Sequence, residues 1–196
     1  MKKIALIVLA ILLAACTATP TARPTPSAVD IDAEEQAVYA ALIQAMYPAE
    51  LYVIMEYTAT DVIGLSEDID STLAQVSENM NGLSQEVIKN FKTRNDRSYP
   101  LRDDMLLGFE YVLLSQEERN ELFAINQNGW EMFYNRYPDS PGIITLSRVG
   151  FNARLDEALV YIGNQSHWMA GAGYYVLLKK ENGLWVIKQQ VLVWIS

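Results

Sequence analysis

Gly173-Tyr174-Tyr175-Val176-Leu177-Leu178-Lys179-Lys180-Glu181-Asn182-Gly183-Leu184-Trp185-Val186-Ile187-Lys188-Gln189-Gln190-Val191-Leu192-Val193-Trp194-Ile195 spells out a β-hairpin. Asn-Gly is the preferred pair for a two-residue type I′ turn, because both central residues need positive φ. Such a loop sets Glu181 opposite Leu184 and fixes every later pair. Leu178 then faces Ile187, Val176 faces Gln189 and Tyr174 faces Val191. That face is mostly apolar and continues through Val193 and Ile195. The other face pairs Lys179 with Val186, Leu177 with Lys188 and Tyr175 with Gln190, and is mixed. A slip of one residue would exchange the two faces, so turn and pattern select one register. Tyr174, Val176 and Leu178 are expected in the core with Ile187, Val191 and Val193.

Upstream of the hairpin, Ile143–Asn152 and Ala158–Asn164 read as two more strands, joined by Ala153-Arg154-Leu155-Asp156-Glu157. Strand following strand makes an antiparallel meander. Several of these strands are apolar on both faces, so helices or other strands must cover the sheet. The helical signals lie earlier. Val38, Ala41, Leu42, Ala45 and Met46 share a helical face after Asp32-Ala33-Glu34-Glu35, and Pro48 stops that helix. Leu51–Thr58 reads as a strand. Ile69, Leu73, Val76 and Met80 form an apolar stripe closed by Asn81-Gly82. Ser84 caps a helix from Gln85 to about Arg94. Met105–Leu114 reads as a strand. Ser115-Gln116-Glu117-Glu118 is a capping box, and Trp130, Phe133, Tyr134 and Tyr137 repeat at helical spacing. That aromatic stripe reads as a face packed on the sheet, with a ligand box as its alternative. The fold class is α+β: N-terminal helices packed on an antiparallel sheet that ends in a four-strand meander.

The chain has 196 residues, of which 51% are hydrophobic and 20% charged, the composition of a globular domain with a sizeable core. Setting aside Lys2 and Lys3 leaves 13 basic against 24 acidic residues, a net charge of −11. An acidic domain without a basic cluster argues against nucleic acid and against electrostatic docking on anionic lipid.

Met1-Lys2-Lys3, the apolar run Ile4–Ala15 and Leu13-Ala14-Ala15-Cys16 have the layout of a secretory signal, the run being too short for a membrane span. The last four residues resemble the lipobox of bacterial lipoproteins. The resemblance implies cleavage of residues 1–15, lipidation of Cys16 and a bacterial cell-envelope protein held to a membrane by its lipid, outside the cytoplasm. Cys16 is the only cysteine, so the exported domain carries no disulfide. Residues 16–31 form a Thr/Pro-rich tether that favours extended structure. At about 3.1 Å per residue it holds the domain roughly 40 Å from the bilayer. Residues 32–196 form one domain.

Ser147-Arg148-Val149-Gly150-Phe151-Asn152, Ala158-Leu159-Val160-Tyr161, Gly171-Ala172-Gly173-Tyr174-Tyr175-Val176-Leu177-Leu178, Asn182-Gly183-Leu184-Trp185 and Trp194-Ile195-Ser196 resemble a family of uncharacterised exported bacterial proteins. The resemblance implies export and no particular activity. It also implies two cysteines in the turn before the hairpin, where Ser166 and Ala170 stand here. Helices followed by a long meander look like the NTF2-like and cystatin-like folds, which host binders and enzymes alike.

Reactive groups are sparse. His167 is the only histidine, and His167-Trp168 lies in a connection between strands, read as an exposed turn with a catalytic or binding role as its alternative. No Gly-x-Ser-x-Gly elbow surrounds a serine. Gly171-Ala172-Gly173 lacks the third glycine of a dinucleotide loop and reads as turn and strand-start glycines. One histidine and no cysteine in the mature domain exclude a usual zinc site, Asp68-Ile69-Asp70 lacks the rest of a calcium loop, and no cofactor is implied. Glu56 and Glu110 each sit in an apolar run. They point to solvent, or one is a buried acid or base with a raised pKa. Tyr175 and Gln190, on the mixed hairpin face, complete the candidates. Two functions follow: a tethered non-catalytic binding or accessory domain, whose protein or small-molecule partner is unspecified, and a small NTF2-like pocket enzyme using carboxylate chemistry. They separate on whether Glu56, Glu110, Tyr57 and Tyr111 converge in one pocket.

Overall fold

The computed structural model describes residues 30–59, 69–124 and 128–196. Cys16 and almost all of the tether lie outside them. In chain order the elements are α1 (Ile31–Met46), β1 (Leu51–Met55), α2 (Ile69–Asn79), α3 (Gln85–Arg94), β2 (Glu110–Leu114), α4 (Gln116–Ala124), α5 (Gly129–Arg136), β3 (Ile143–Leu146), β4 (Gly150–Phe151), β5 (Glu157–His167), β6 (Ala170–Glu181) and β7 (Leu184–Ile195). Among the described residues no helix is long and apolar enough to cross a membrane.

The hairpin turns where Asn-Gly places it, with Asn182 at φ 51° and Gly183 at φ 84°. Glu181 pairs with Leu184, Lys179 with Val186 and Leu178 with Ile187, as the turn dictates. Beyond that the register departs from expectation. Leu177 pairs with Gln189, Val176 with Gln190, Tyr175 with Val191 and Tyr174 with Leu192, so Lys188 is an extra residue on β7. A second extra residue, Val193, lies between the Tyr174–Leu192 and Gly173–Trp194 pairs. Each such bulge changes which side the following residues face. Val191 and Val193 therefore do not join Tyr174, Val176 and Leu178. They pack with Tyr175 and Leu177 on the opposite face.

The strand order is β2-β1-β3-β5-β6-β7, with β4 pairing β5 beside β3. The run from β3 through β7 is antiparallel, as expected, but β1 is parallel to both β2 and β3. The sheet is thus mixed, not antiparallel throughout. After β1 the chain crosses by way of α2 and α3 before pairing again, and after β2 by way of α4 and α5. Crossovers of that length are what parallel pairing needs. Three expected strands are shorter, the one expected over Leu51–Thr58 ending at Met55. Met105 and Leu107 are buried without joining β2, whose approach contains Gly108 at φ 77°. The expected strand Ile143–Asn152 breaks at residues 147–149 into β3 and β4.

Helices cover both sheet faces. On one, α1 buries Val38, Tyr39, Leu42 and Ile43 against Ile54, Leu146, Val160, Val176 and Leu178. On the other, α2 and α3 supply Leu73, Val76, Val87 and Phe91 against Leu159, Tyr161, Tyr175 and Leu177. Nearer β1, α4 and α5 supply Leu122, Trp130, Phe133 and Tyr137 against Val53 and Ile143, so the aromatic stripe is a packing face. Among the described residues the second face therefore carries two separate helical groups with a gap between them.

The break between β3 and β4 leaves backbone donors that must be satisfied. Glu35, buried on α1, accepts the Val149 N–H at 2.7 Å. The same carboxylate accepts Arg148 Nε at 2.9 Å and Arg94 Nη2 at 3.1 Å. Asn95 accepts the Arg148 N–H at 2.8 Å, and Ser147 Oγ accepts the Tyr161 N–H at 2.8 Å. One carboxylate thereby ties α1, α3 and the broken strand together. Removing one partner from a buried ion pair leaves the other charges uncompensated. Glu35→Ala is expected to lower stability by about 3 kcal/mol in chemical denaturation, and Glu35→Gln by less.

Candidate functional site

The residues singled out in the sequence do not form one site. Glu110 is exposed at the start of β2, opposite Leu51, while Glu56 is half-buried just beyond Met55, which pairs with Leu114. Five residues of strand separate those positions, about 16 Å. Tyr57 and Tyr111 diverge as well. The Tyr111 hydroxyl accepts the Met105 N–H at 2.8 Å on the α1 face, and Tyr57 lies on the other face, 49% exposed. Tyr175 and Gln190 do not share a face: Tyr175 is fully buried opposite Val191, and Gln190 is exposed opposite Val176. The bulge at Lys188 separates them.

His167 and Trp168 close the β5–β6 turn. His167 stacks on Trp130 with ring centroids 6.5 Å apart, and Trp168 meets Phe123 edge-on at 5.5 Å. The turn is exposed, Trp168 at 46% and Met169 at 81%. Among the described residues His167 makes no hydrogen bond to an acid, and no group of three or more His, Cys, Asp or Glu is placed to hold a metal.

A different set of residues makes a cleft. Thr145 on β3 pairs with Gly163 on β5, Gly163 with Gly173 on β6, and Gly173 with Trp194 on β7. This row crosses four strands on the face bearing α2–α5, and its two central members have no side chain. Trp194 lies across the vacancy. A Cβ on Gly173 would run into its Nε1, one on Gly171 would come within 3.0 Å of its Cζ3, and one on Gly163 within 3.4 Å of its Cζ2. One ring touching three backbone positions on two strands lies along the sheet. Its other face is turned outward. Gly171 and Gly173, read from sequence as turn and strand-start glycines, form the bed of this indole.

Above the row, between the two helical groups, is a cavity of about 640 Å³. Its floor is Ile143, Thr145, Tyr161, Gly163 and Gln165. Trp194, Ile195 and Ser196 line it from β7, the residues Tyr57–Ala59 after β1 and Ser98 line it from another side, and α4 contributes Gln116 and Arg119. The size is that of a small-molecule site.

Trp194 Nε1 donates to the Tyr161 hydroxyl at 2.8 Å. Tyr161 is 2% exposed, and among the described residues its own proton has no acceptor. Burial holds this phenol above its ordinary ionisation range, partly offset by the Trp194 hydrogen bond, so the proton stays on. Thr145 and Gln165 likewise make no side-chain hydrogen bond among the described residues, and Asn164 spends only its Nδ2, on Pro141 O at 3.3 Å. Among the described residues Arg119 is the only charged side chain of the lining. It lies over the Phe123 ring at 5.8 Å and has no ion pair among the described residues.

Compared with known proteins, the chain gives no significant match to a protein-family model, to a curated protein or to a solved structure.

Glycine inside a strand marks a close approach of a ligand or another group. The spacing of Gly171 and Gly173 carried that signal, but Gly163 and Trp194 were needed to interpret it. Filling the bed is expected to cost stability by overpacking: Gly173→Ala by about 1–3 kcal/mol in urea denaturation. The cost should shrink in a Trp194→Ala background, and equal costs in both backgrounds would show that the indole does not rest on Gly173.

Proposed function

We propose that this protein is a non-catalytic binding domain of the bacterial cell envelope, tethered to a membrane through lipidated Cys16, with its ligand in the cleft above Gly163 and Gly173. The observation that carries this reading is the composition of the cleft wall. Among the described residues it offers hydroxyls, side-chain amides, an aromatic face and one guanidinium, and no Asp, Glu, His, Cys or Lys side chain. Such a wall is suited to hydrogen-bonding and orienting a molecule. It lacks a side chain that would exchange protons near neutral pH. Ser98, the hydroxyl best placed to be asked for nucleophilic work, instead donates to Thr58 O at 2.5 Å and has no base beside it in the lining.

The tether supports the same reading. A Thr/Pro-rich segment behind a lipidated cysteine would keep a domain near a membrane and within reach of a partner. The runner-up, an NTF2-like pocket enzyme, draws no support from Glu56 and Glu110, which sit at opposite ends of the β1–β2 pair.

Two experiments test the two halves. Cys16→Ser should abolish metabolic labelling by a palmitate analogue and release the protein from membranes, and labelling that persists would refute the anchor. For the cleft, the full chain in lipid nanodiscs is screened against a fragment library by NMR. Bound fragments should shift the Trp194 indole N–H resonance, and Thr145→Trp, which fills the floor, should abolish those shifts. Fragments that bind only elsewhere would remove the cleft from consideration.

A further inference from the structure

Resting on the cleft as the binding site, we propose that its ligand is an acidic sugar, a pyranose of one or two units whose ring lies on Trp194 and whose carboxylate is held by Arg119. Three features of the wall point to this class.

The first is the platform. Trp194 lies along the sheet on Gly163, Gly171 and Gly173, and its Nε1 is already committed to Tyr161. What it presents to the cleft is therefore an aromatic face without a polar edge. A ring bearing axial C–H bonds stacks on such a face through dispersion and the ring's negative quadrupole. The pairing at Tyr161 also fixes the indole in one orientation, so little freedom is lost on binding.

The second is the match to hydroxyl groups. A sugar hydroxyl both donates and accepts, and it is best met by groups that do the same. Thr145 and Gln165 retain unused capacity at the floor. Tyr161, nine-tenths buried and more, has a proton that no described residue accepts. A buried donor of this kind costs free energy until a ligand oxygen takes it.

The third is charge. The domain is acidic, yet among the described residues no Asp or Glu side chain lines the cleft, and the guanidinium that does has no ion pair there. Most other cations of the fold are matched, as Lys180 is with Glu34 and Arg148 with Glu35. A planar guanidinium binds a carboxylate through two parallel hydrogen bonds. One arginine with no lysine suits a single negative charge better than a phosphate. No Asp or Glu side chain among the described lining residues is there to pair with an amino sugar.

The test is titration of the full chain in nanodiscs with glucuronate, glucose and glucosamine, followed by the Trp194 indole resonance. Glucuronate should bind about ten-fold or more tighter than glucose, the contribution of one charge-assisted pair, and glucosamine weakest. Arg119→Gln should bring glucuronate to the level of glucose, with Arg119→Lys in between and the melting temperature of each variant checked against the parent. Equal affinity for glucuronate and glucose, preference for glucosamine, or indifference to Arg119→Gln would overturn the assignment. If fragments occupy the cleft but no sugar does, the sugar class falls and the binding domain stands. If neither fragments nor sugars reach the Trp194 resonance, both fall.

Discussion

Two residues without partners, Lys188 and Val193, decide what each face of the sheet carries. Tyr175 and Leu177 face α2 and α3, and the layer there is completed by Val191, Val193 and Trp194. A regular β7 could not deliver that set, because successive side chains alternate. The first bulge turns Val191 to the α2–α3 side. The second returns Trp194 to that side, where the alternation begun at Val191 would have sent it to the other. Edge strands accommodate such irregularity because only one side of the strand must keep its ladder. The first bulge also brings Gln189 to the α2–α3 connection. There its amide accepts the Asn81 N–H at 2.9 Å and donates to Asn81 O at 2.5 Å, standing in for a neighbouring strand.

A second irregularity serves the other face. Between β3 and β4 the chain leaves the sheet, and Glu35, Asn95 and Ser147 take over the hydrogen bonds that a continuous strand would have made. The gain is connection: α1 lies on one face and α3 on the other, yet both meet at Arg148 through Glu35 and Asn95. Opposite layers of the fold are thus linked directly as well as through the sheet. Gly150 marks the same crossing from the α3 side. A Cβ there would come within 2.5 Å of the Phe91 Cα, so α3 and β4 approach backbone to backbone.

These features explain what the sequence could reveal. The turn at Asn182-Gly183 was legible because positive φ at two successive residues restricts the choice of side chain. The bulges were not, because the turn fixes only the pairs next to it, and β6, apolar on both faces, accepts the shifted pairs beyond Lys188 as well. The aromatic face of α5 and the cap at Ser84 followed from local rules, and both are present, Ser84 Oγ accepting the Val87 N–H at 3.4 Å. The parallel strands were also marked. Leu51-Tyr52-Val53-Ile54-Met55 has no polar residue, as expected of a strand covered on both sides. Local alternation gives no strand direction, however, and the crossovers that set it depend on how four helices divide over one face. Glu56 and Glu110 were attractive because each interrupts an apolar run. An apolar run interrupted at its end is simply a strand terminus, and both sit at one.

The cleft escaped notice for a different reason: it consists partly of side chains that are missing. The neighbouring row on the same face, Tyr161 opposite Tyr175 opposite Val191, is filled with large groups. One step further, Gly163 and Gly173 present nothing, and each glycine in a strand costs about 0.5–1 kcal/mol in backbone entropy relative to alanine. A sheet face serving only as a floor for helices would be filled there, as it is at Tyr161 and Tyr175. Trp194 does not restore the lost packing, since it lies on the row with its far side open to the cavity. The structure thus places an indole where it can be touched, fixes it with a buried phenol, and leaves the phenol's proton unclaimed among the described residues. A purely structural account explains the indole and its bed. It leaves the free proton and the unpaired arginine beside the cleft without a role, which the proposed ligand would supply.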